Sequence, residues 1–386
     1  MRIALLCPDL VDAPFGGIPM VSRQALRQLV RIATERRVAL DIDVWALHDK
    51  RDKDVDLAQE YGLTLPIRRY RAFGGSRILM LAAAAREGER EGVDLVFTTH
   101  IGLGVVGRLL RRRGAAMIQF LHGVEAWRRL PGHQRAGLAA TDGLISNSAF
   151  TLKRFQAWNP DLCGIPSRVV WLGLPLDVAP SVAEDAAIPS GGPGPRVLIV
   201  GRICGHERYK GHEELIHVWS EVRRYFPNAC LDIVGDGDAR AELTACATRL
   251  GHTDTGAIRF WGRVSAEELR AHYRDATVFA MPSRGEGFGI VYLEAMAYGK
   301  PCIGSRDDAA REVIVQDETG LLIRYGDRGE LVSVLFELFS DPAQAKRLGA
   351  AGRARVRKHF EEAHFGERLW AALSALCPAF AAEASQ

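Results

Sequence analysis

Short apolar runs alternate with helical stretches through this chain, and the alternation occurs twice, interrupted once by a segment that can form neither. The first series places strands near 2–7, 39–46, 65–71, 94–99, 116–121 and 143–146, with amphipathic helices at 18–36 and 77–91. The second places strands near 196–201, 230–234, 258–261, 277–281, 301–304 and 320–323, with a helix over 239–250. Apolar strands separated by helices are covered on both faces, so the fold class expected is α/β, built from two doubly wound parallel sheets. Residues 177–195 hold Pro180, Pro189, Pro193 and Pro195 around Ser190-Gly191-Gly192, too many breakers for an element, and read as the linker. The domains expected are therefore 1–176 and 196–360, with 361–386 as a closing helix and tail.

At 386 residues the chain is long enough for two full cores, and 47% hydrophobic with 25% charged residues is ordinary for a globular protein. No run approaches eighteen apolar residues, and Met1-Arg2 leads directly into a strand, so the expected location is cytoplasmic, with peripheral contact at the inner membrane face as the other option. The cysteines are an odd, scattered set of seven without a Cys-x-x-Cys pair, which argues against a disulfide framework and a zinc site. A net charge of only +3 and the absence of a recognition motif exclude nucleic acid as the expected partner. Basic clusters occur at Arg68-Arg69-Tyr70-Arg71 with Arg77, at Arg108 with Arg111-Arg112-Arg113, and at Arg128-Arg129. The second ends a helix where cations complement the dipole. The first and third, beside Tyr70, Phe73 and Trp127, are either solvated faces or contacts for an anionic lipid surface or a diphosphate-linked acceptor.

The chemistry is concentrated in the second half. Pro282-Ser283-Arg284-Gly285-Glu286-Gly287-Phe288-Gly289 follows an apolar strand, and a helix starting near Gly289 would point N–H groups and its positive dipole end at an anion above the loop. Glu294, in the second turn, leans back toward the same ligand, and one carboxylate suits the paired hydroxyls of a ribose. Upstream, Arg196-Val197-Leu198-Ile199-Val200 ends in Gly201-Arg202 and is followed by Glu207-Arg208-Tyr209-Lys210-Gly211, cations in one loop at the end of a strand. Gly235-Asp236-Gly237 lacks the remaining residues of a dinucleotide fingerprint, and His206, His212 and His217 lack metal-site spacing. Glu286 and Glu294 approach one ligand from the same side, which does not suit a glycoside hydrolase.

These strings resemble the retaining glycosyltransferases of family 4, the group 1 glycosyl transferases. The resemblance implies the GT-B fold: two Rossmann-like domains facing a central cleft, with the last helix crossing back to the first domain and Trp370 as its candidate anchor. It implies a UDP- or GDP-sugar donor, a saccharide, lipid-linked or small-molecule acceptor, no separate cofactor and no metal. By this likeness Arg202 and Lys210 stabilise the departing β-phosphate, although the segment 203–209 is longer than the family spacing and leaves Arg208 as a competing cation. Glu286, Phe288, Gly289 and His122 hold the sugar, with His100 a second candidate histidine. Backbone groups of Gly289, Ile290 and Val291, and Gly16-Gly17 before the first helix, face the diphosphate, while Glu294 holds the ribose. The same fold leaves open a sugar phosphorylase, a nucleotide-sugar epimerase, or a catalytically silent nucleotide-sugar-binding subunit.

Overall fold

The computed structural model describes residues 1–13, 16–50, 56–63, 67–90, 92–111, 114–174, 179–180, 194–205, 210–253 and 255–383. Most of the linker expected at 177–195 lies outside them, as do Arg112, Arg113, His206 and Arg208 with its neighbours Glu207 and Tyr209. The chain divides into two units, one of Met1–Gly173 with Glu362–Gln386 and one of Leu174–Glu361.

In the first unit the described residues form seven strands: β1 (Arg2–Cys7), β2 (Asp41–Ala46), β3 (Arg69–Ala72), β4 (Leu95–Thr98), β5 (Ala116–Leu121), β6 (Gly143–Ser146) and β7 (Ser167–Val169). They are ordered β3-β2-β1-β4-β5-β6-β7, and all pairs are parallel. β1 is buried from Ile3 to Cys7, which explains its unbroken apolar run. β7 has no such signature: it is a short edge strand whose Arg168 and Val169 are exposed, so neither apolar run nor alternation betrays it.

The helix Glu362–Leu376 belongs to this unit and packs on the helix Gly17–Arg36. Arg27 grips the buried Glu362 with both arms at 2.9 and 2.7 Å, and Gln28 Nε2 donates to the same carboxylate at 3.0 Å. Trp370 is buried edge-on to Phe380, with the Arg36 guanidinium 5.4 Å from its ring centre. The chain closes in two successive long helices, Pro342–His359 and Glu362–Leu376. Between them the Phe360 carbonyl accepts from Leu174 N at 2.6 Å.

In the second unit the described strands are β8 (Arg196–Val200), β9 (Cys230–Val234), β10 (Ile258–Gly262), β11 (Val278–Ala280), β12 (Cys302–Ser305) and β13 (Gly320–Ile323), ordered β10-β9-β8-β11-β12-β13 and again parallel. Strand order reverses once in each sheet, between β1 and β4 and between β8 and β11. Loops leaving adjacent strands at such a point part toward opposite faces and open a crevice at the carboxyl ends.

The first basic cluster is employed inside the first unit, whereas Arg128 and Arg129 of the third are exposed. Arg69 and Arg71 pair with Glu87 at 3.1 and 3.8 Å, and Arg68 lies 3.7 Å from the buried Asp43. Arg71 also stands 4.7 Å over the Trp45 ring, which is stacked on Phe73. Phe73 and Trp127 are buried, Trp127 edge-on to Phe150 under Arg154, so the aromatic groups read as surface contacts serve the core. The carboxylates come from neighbouring elements and are not carried by residues 68–71 themselves.

Candidate functional site

β8 and β11 are neighbours, with Val197 opposite Val278 and Leu198 opposite Phe279, so the loops that follow them start side by side. They touch at Gly211. Its φ is 91°, and a Cβ there would stand 2.6 Å from the Pro282 carbonyl oxygen, so only glycine permits the approach. Lys210, just before it, donates to Glu286 Oε2 at 3.1 Å across 76 residues of sequence. Both side chains are sheltered, 16% and 17% exposed. The lysine stem runs over Gly201, where a Cβ would lie 3.2 Å from Lys210 Cδ. Arg202, the next residue, is exposed at the start of the same loop. Two motifs read separately in the sequence thus meet in one ion pair.

Gly289, with φ 89°, heads the helix Ile290–Ala297, and no acidic residue occupies the first turn, whose positive end is left for an anion. Ile290 and Val291 are half-buried there. Tyr292 locks the turn from below, its hydroxyl donating to the Met281 carbonyl at 2.6 Å. Glu294 is 8% exposed and accepts from the Tyr273 hydroxyl at 2.5 Å. Burial first, and the Glu294 charge second, push the Tyr273 phenol well above its ordinary range, so it stays a donor. The Phe288 ring does not face this loop's surface: it is 1% exposed and meets Phe360 edge-on at 6.1 Å. The ring has a packing role, because an apolar ring at a loop's base gains more by burial than at its rim.

In the first unit Gly16 and Gly17 are exposed at the start of the helix Gly17–Arg36, again with no acidic residue in the first turn. One turn in, Ser22 Oγ lies 2.7 Å from Thr99 Oγ1, just beyond β4. The Thr99 carbonyl accepts from His122 Nε2 at 2.6 Å, just beyond β5. A carbonyl can only accept, so Nε2 carries the proton and Nδ1 is the acceptor. Burial lowers the imidazole to about 4, against the opposing pull of that hydrogen bond, so His122 is neutral at pH 7. Its main chain is held by Glu125 and Asn147, each at 2.6 Å. His100, the alternative, spends Nδ1 on the Gly102 N–H at 3.0 Å and caps the short helix Ile101–Leu103.

A family model described as Glycosyl transferases group 1 matches residues 194–341. A GDP-mannose-dependent monoacylated alpha-(1-6)-phosphatidylinositol monomannoside mannosyltransferase of Corynebacterium glutamicum is 31% identical over 304 residues, covering 73% of this chain and 76% of that one. A GDP-mannose-dependent alpha-(1-6)-phosphatidylinositol monomannoside mannosyltransferase of Mycolicibacterium smegmatis is 32% identical over 307 residues, covering 74% and 78%. The chain belongs to the group 1 glycosyl transferases. Its fold is the GT-B fold of family 4. The sucrose-phosphate synthase of Thermosynechococcus elongatus superposes with a TM-score of 0.77 at 24% identity, covering 98% of this chain and 99% of that one. Anabaena HepE in complex with UDP and glucose gives 0.71 at 20%, covering 97% and 100%.

Several residues of this glycosyl transferase that shape the site escaped the sequence. Asp49, just past β2, accepts from the successive N–H groups of Leu10, Val11 and Asp12 at 3.0–3.1 Å and from the Tyr70 hydroxyl at 2.6 Å, so it holds the stretch that leads to Gly16. Thr99 joins the glycine-headed helix to His122. Thr99 follows β4 directly, a position that could have singled it out, whereas Asp49 stands three residues past the end of β2. Gly235 and Gly237, set aside as a nucleotide motif, lie where a Cβ would collide with the Gly201 and Ile203 carbonyls, so they pack one loop on another. Among the described residues no helix is long and apolar enough to cross a membrane.

Proposed function

We propose that this glycosyl transferase moves a hexose from a nucleoside diphosphate sugar to an acceptor hydroxyl with retention of configuration and without a metal ion. The observation that carries the reading is the Lys210–Glu286 pair at the β8/β11 switch, beside a helix start open to an anion. An ammonium already held by a sugar-facing carboxylate stands where the β-phosphate and the sugar of one donor would meet. Bond breaking between the anomeric carbon and the β-phosphate oxygen leaves charge on the phosphate, which Lys210, Arg202 and the first-turn N–H groups oppose without reorganising. The acceptor oxygen bonds the anomeric carbon from the same face, and its proton passes to the departing phosphate. Within the second unit Glu286 accepts from sugar hydroxyls and Glu294 accepts from the ribose.

GDP-mannose is the first donor to try, because two relatives aligned over about three quarters of their length are named for it. A saccharide or lipid-linked saccharide is the acceptor class those names support. Thermal denaturation with GDP, UDP and ADP tests the donor base. A ligand at a hundred times its dissociation constant adds about 2.7 kcal/mol, so GDP should raise Tm by several degrees and ADP should not. Turnover of GDP-mannose followed by proton NMR should then show the α configuration kept. No response to any nucleotide, or an inverted product, would refute the reading.

A further inference from the structure

Asp308, in the loop after β12, has no exposed surface and takes no direct part in the proposed transfer. Its Oδ2 accepts from Ser283 Oγ at 2.6 Å and from the Glu286 N–H at 3.0 Å, and its Oδ1 accepts from the Ala310 N–H at 2.9 Å. The next residue, Ala309, donates its own N–H to the Glu286 carbonyl at 3.2 Å. Consecutive residues of one loop therefore hold the Glu286 main chain through both its N–H and its C=O. The Glu286 side chain is then placed from that fixed base, with Oε1 on the Gly287 N–H at 3.1 Å and Oε2 on Lys210. A displacement of the β12 loop would move the carboxylate that Lys210 meets.

We propose that Asp308 is the positioning residue that sets where the Glu286 carboxylate stands, and through it which sugar the site prefers. This rests on the reading that Glu286 faces the sugar. The task needs an acceptor at both oxygens, since the Glu286 and Ala310 N–H groups, one on each, can only donate, and protonation weakens whichever oxygen takes the proton as an acceptor. Burial, opposed by those three hydrogen bonds and joined by the Glu286 charge, raises the Asp308 carboxyl to about 7. The ionisable groups around it are Glu286 and, beyond it, Lys210 from the two switch loops, Tyr292 from the helix Ile290–Ala297, and Asp307 and Arg311 beside it in sequence. The clamp therefore weakens as pH falls through about 7.

The test is Asp308→Asn in the full chain. The amide keeps the size but offers one accepting oxygen and turns an N–H₂ toward existing donors. Titration with GDP and UDP should give affinities within about twofold of wild type. GDP-mannose and UDP-glucose should bind about tenfold or more weakly, with kcat reduced as well, and the ratio between the two sugars should narrow. The acid limb of kcat/KM near pH 7 should disappear. Ser283→Ala, which removes a single bond to Asp308, should shift the same quantities in the same direction by less, and it decides the matter if Asp308→Asn does not fold. Equal loss of GDP and GDP-mannose, or unchanged sugar preference, overturns the proposal. Glu286→Gln separates the two readings. If it leaves sugar preference unchanged, the assignment of Glu286 fails. If it narrows preference while Asp308→Asn and Ser283→Ala do not, only the role of Asp308 fails.

Discussion

Gly289→Ala should destabilise the second unit by about 2–5 kcal/mol, and the number follows from two separate penalties. The residue sits at φ 89°, where an L side chain costs roughly 1–2 kcal/mol. A Cβ there would stand 2.5 Å from Tyr292 Cε2 and closer still to Cδ2. The Tyr292 ring cannot swing away freely, because it is fully buried and its hydroxyl is bonded to the Met281 carbonyl. Overpacking of such a site costs about 1–3 kcal/mol. Urea denaturation followed by tryptophan fluorescence measures the sum, since Trp219 and Trp261 lie in this unit. Gly17→Ala is the control: a Cβ at Gly17 meets nothing within 4 Å, so its stability should stay within about 1 kcal/mol. If Gly289→Ala matches wild type within about 0.5 kcal/mol, the left-handed cap over Tyr292 is not the constraint described above.

Glu294→Ala should weaken GDP binding itself, raising KM more than it lowers kcat, and should also cost about 1–3 kcal/mol of stability because the buried Tyr273 hydroxyl loses its acceptor. Calorimetric titration with unchanged GDP affinity would rule out the ribose assignment. Arg202→Ala and Lys210→Ala should each lower kcat roughly ten- to a thousandfold with the fold retained, and EDTA should leave the rate unchanged. Steady-state kinetics in which Arg208→Ala does far more damage than Lys210→Ala would move the active cation. His122 is depressed from 6.5 to about 4, so the unfolded chain takes up a proton that the folded chain refuses. Its contribution to stability is complete above pH 6.5 and declines as pH falls toward 4. In urea titrations at pH 7 and 5, His122→Gln should show a smaller loss between the two than wild type.

Local pattern carried much of the architecture. Short apolar runs bounded by turn residues suit strands buried on both faces, so β1, β5 and β8 were legible, as was the glycine-headed helix at Ile290–Ala297. β7 was not, because an edge strand of three residues needs no apolar run. The stop between the last two long helices was not legible either, since at Phe360-Glu361 a backbone partner from Leu174, distant in sequence, takes the Phe360 carbonyl.

At the site, the resemblance of two glycine-bearing strings and one strand end to family 4 was what nominated Arg202, Lys210, Glu286, Glu294 and His122. Their company was not. That Lys210 bonds Glu286 depends on β8 lying beside β11, a pairing of segments about eighty residues apart that no local pattern encodes. That Phe288 turns inward depends on Phe360 being there to cover it, and that Arg68, Arg69 and Arg71 find carboxylates depends on Asp43 and Glu87 from other elements. Asp49, Thr99 and Asp308 acquire their roles in the same way, by accepting from groups distant in sequence. The amino-acid sequence by itself determined which stretches become strands and helices and where glycine must stand, because those depend on a residue and its near neighbours. Only the tertiary structure decided which charges are spent on each other and which rings are buried, because burial and pairing are properties of what the rest of the chain brings alongside.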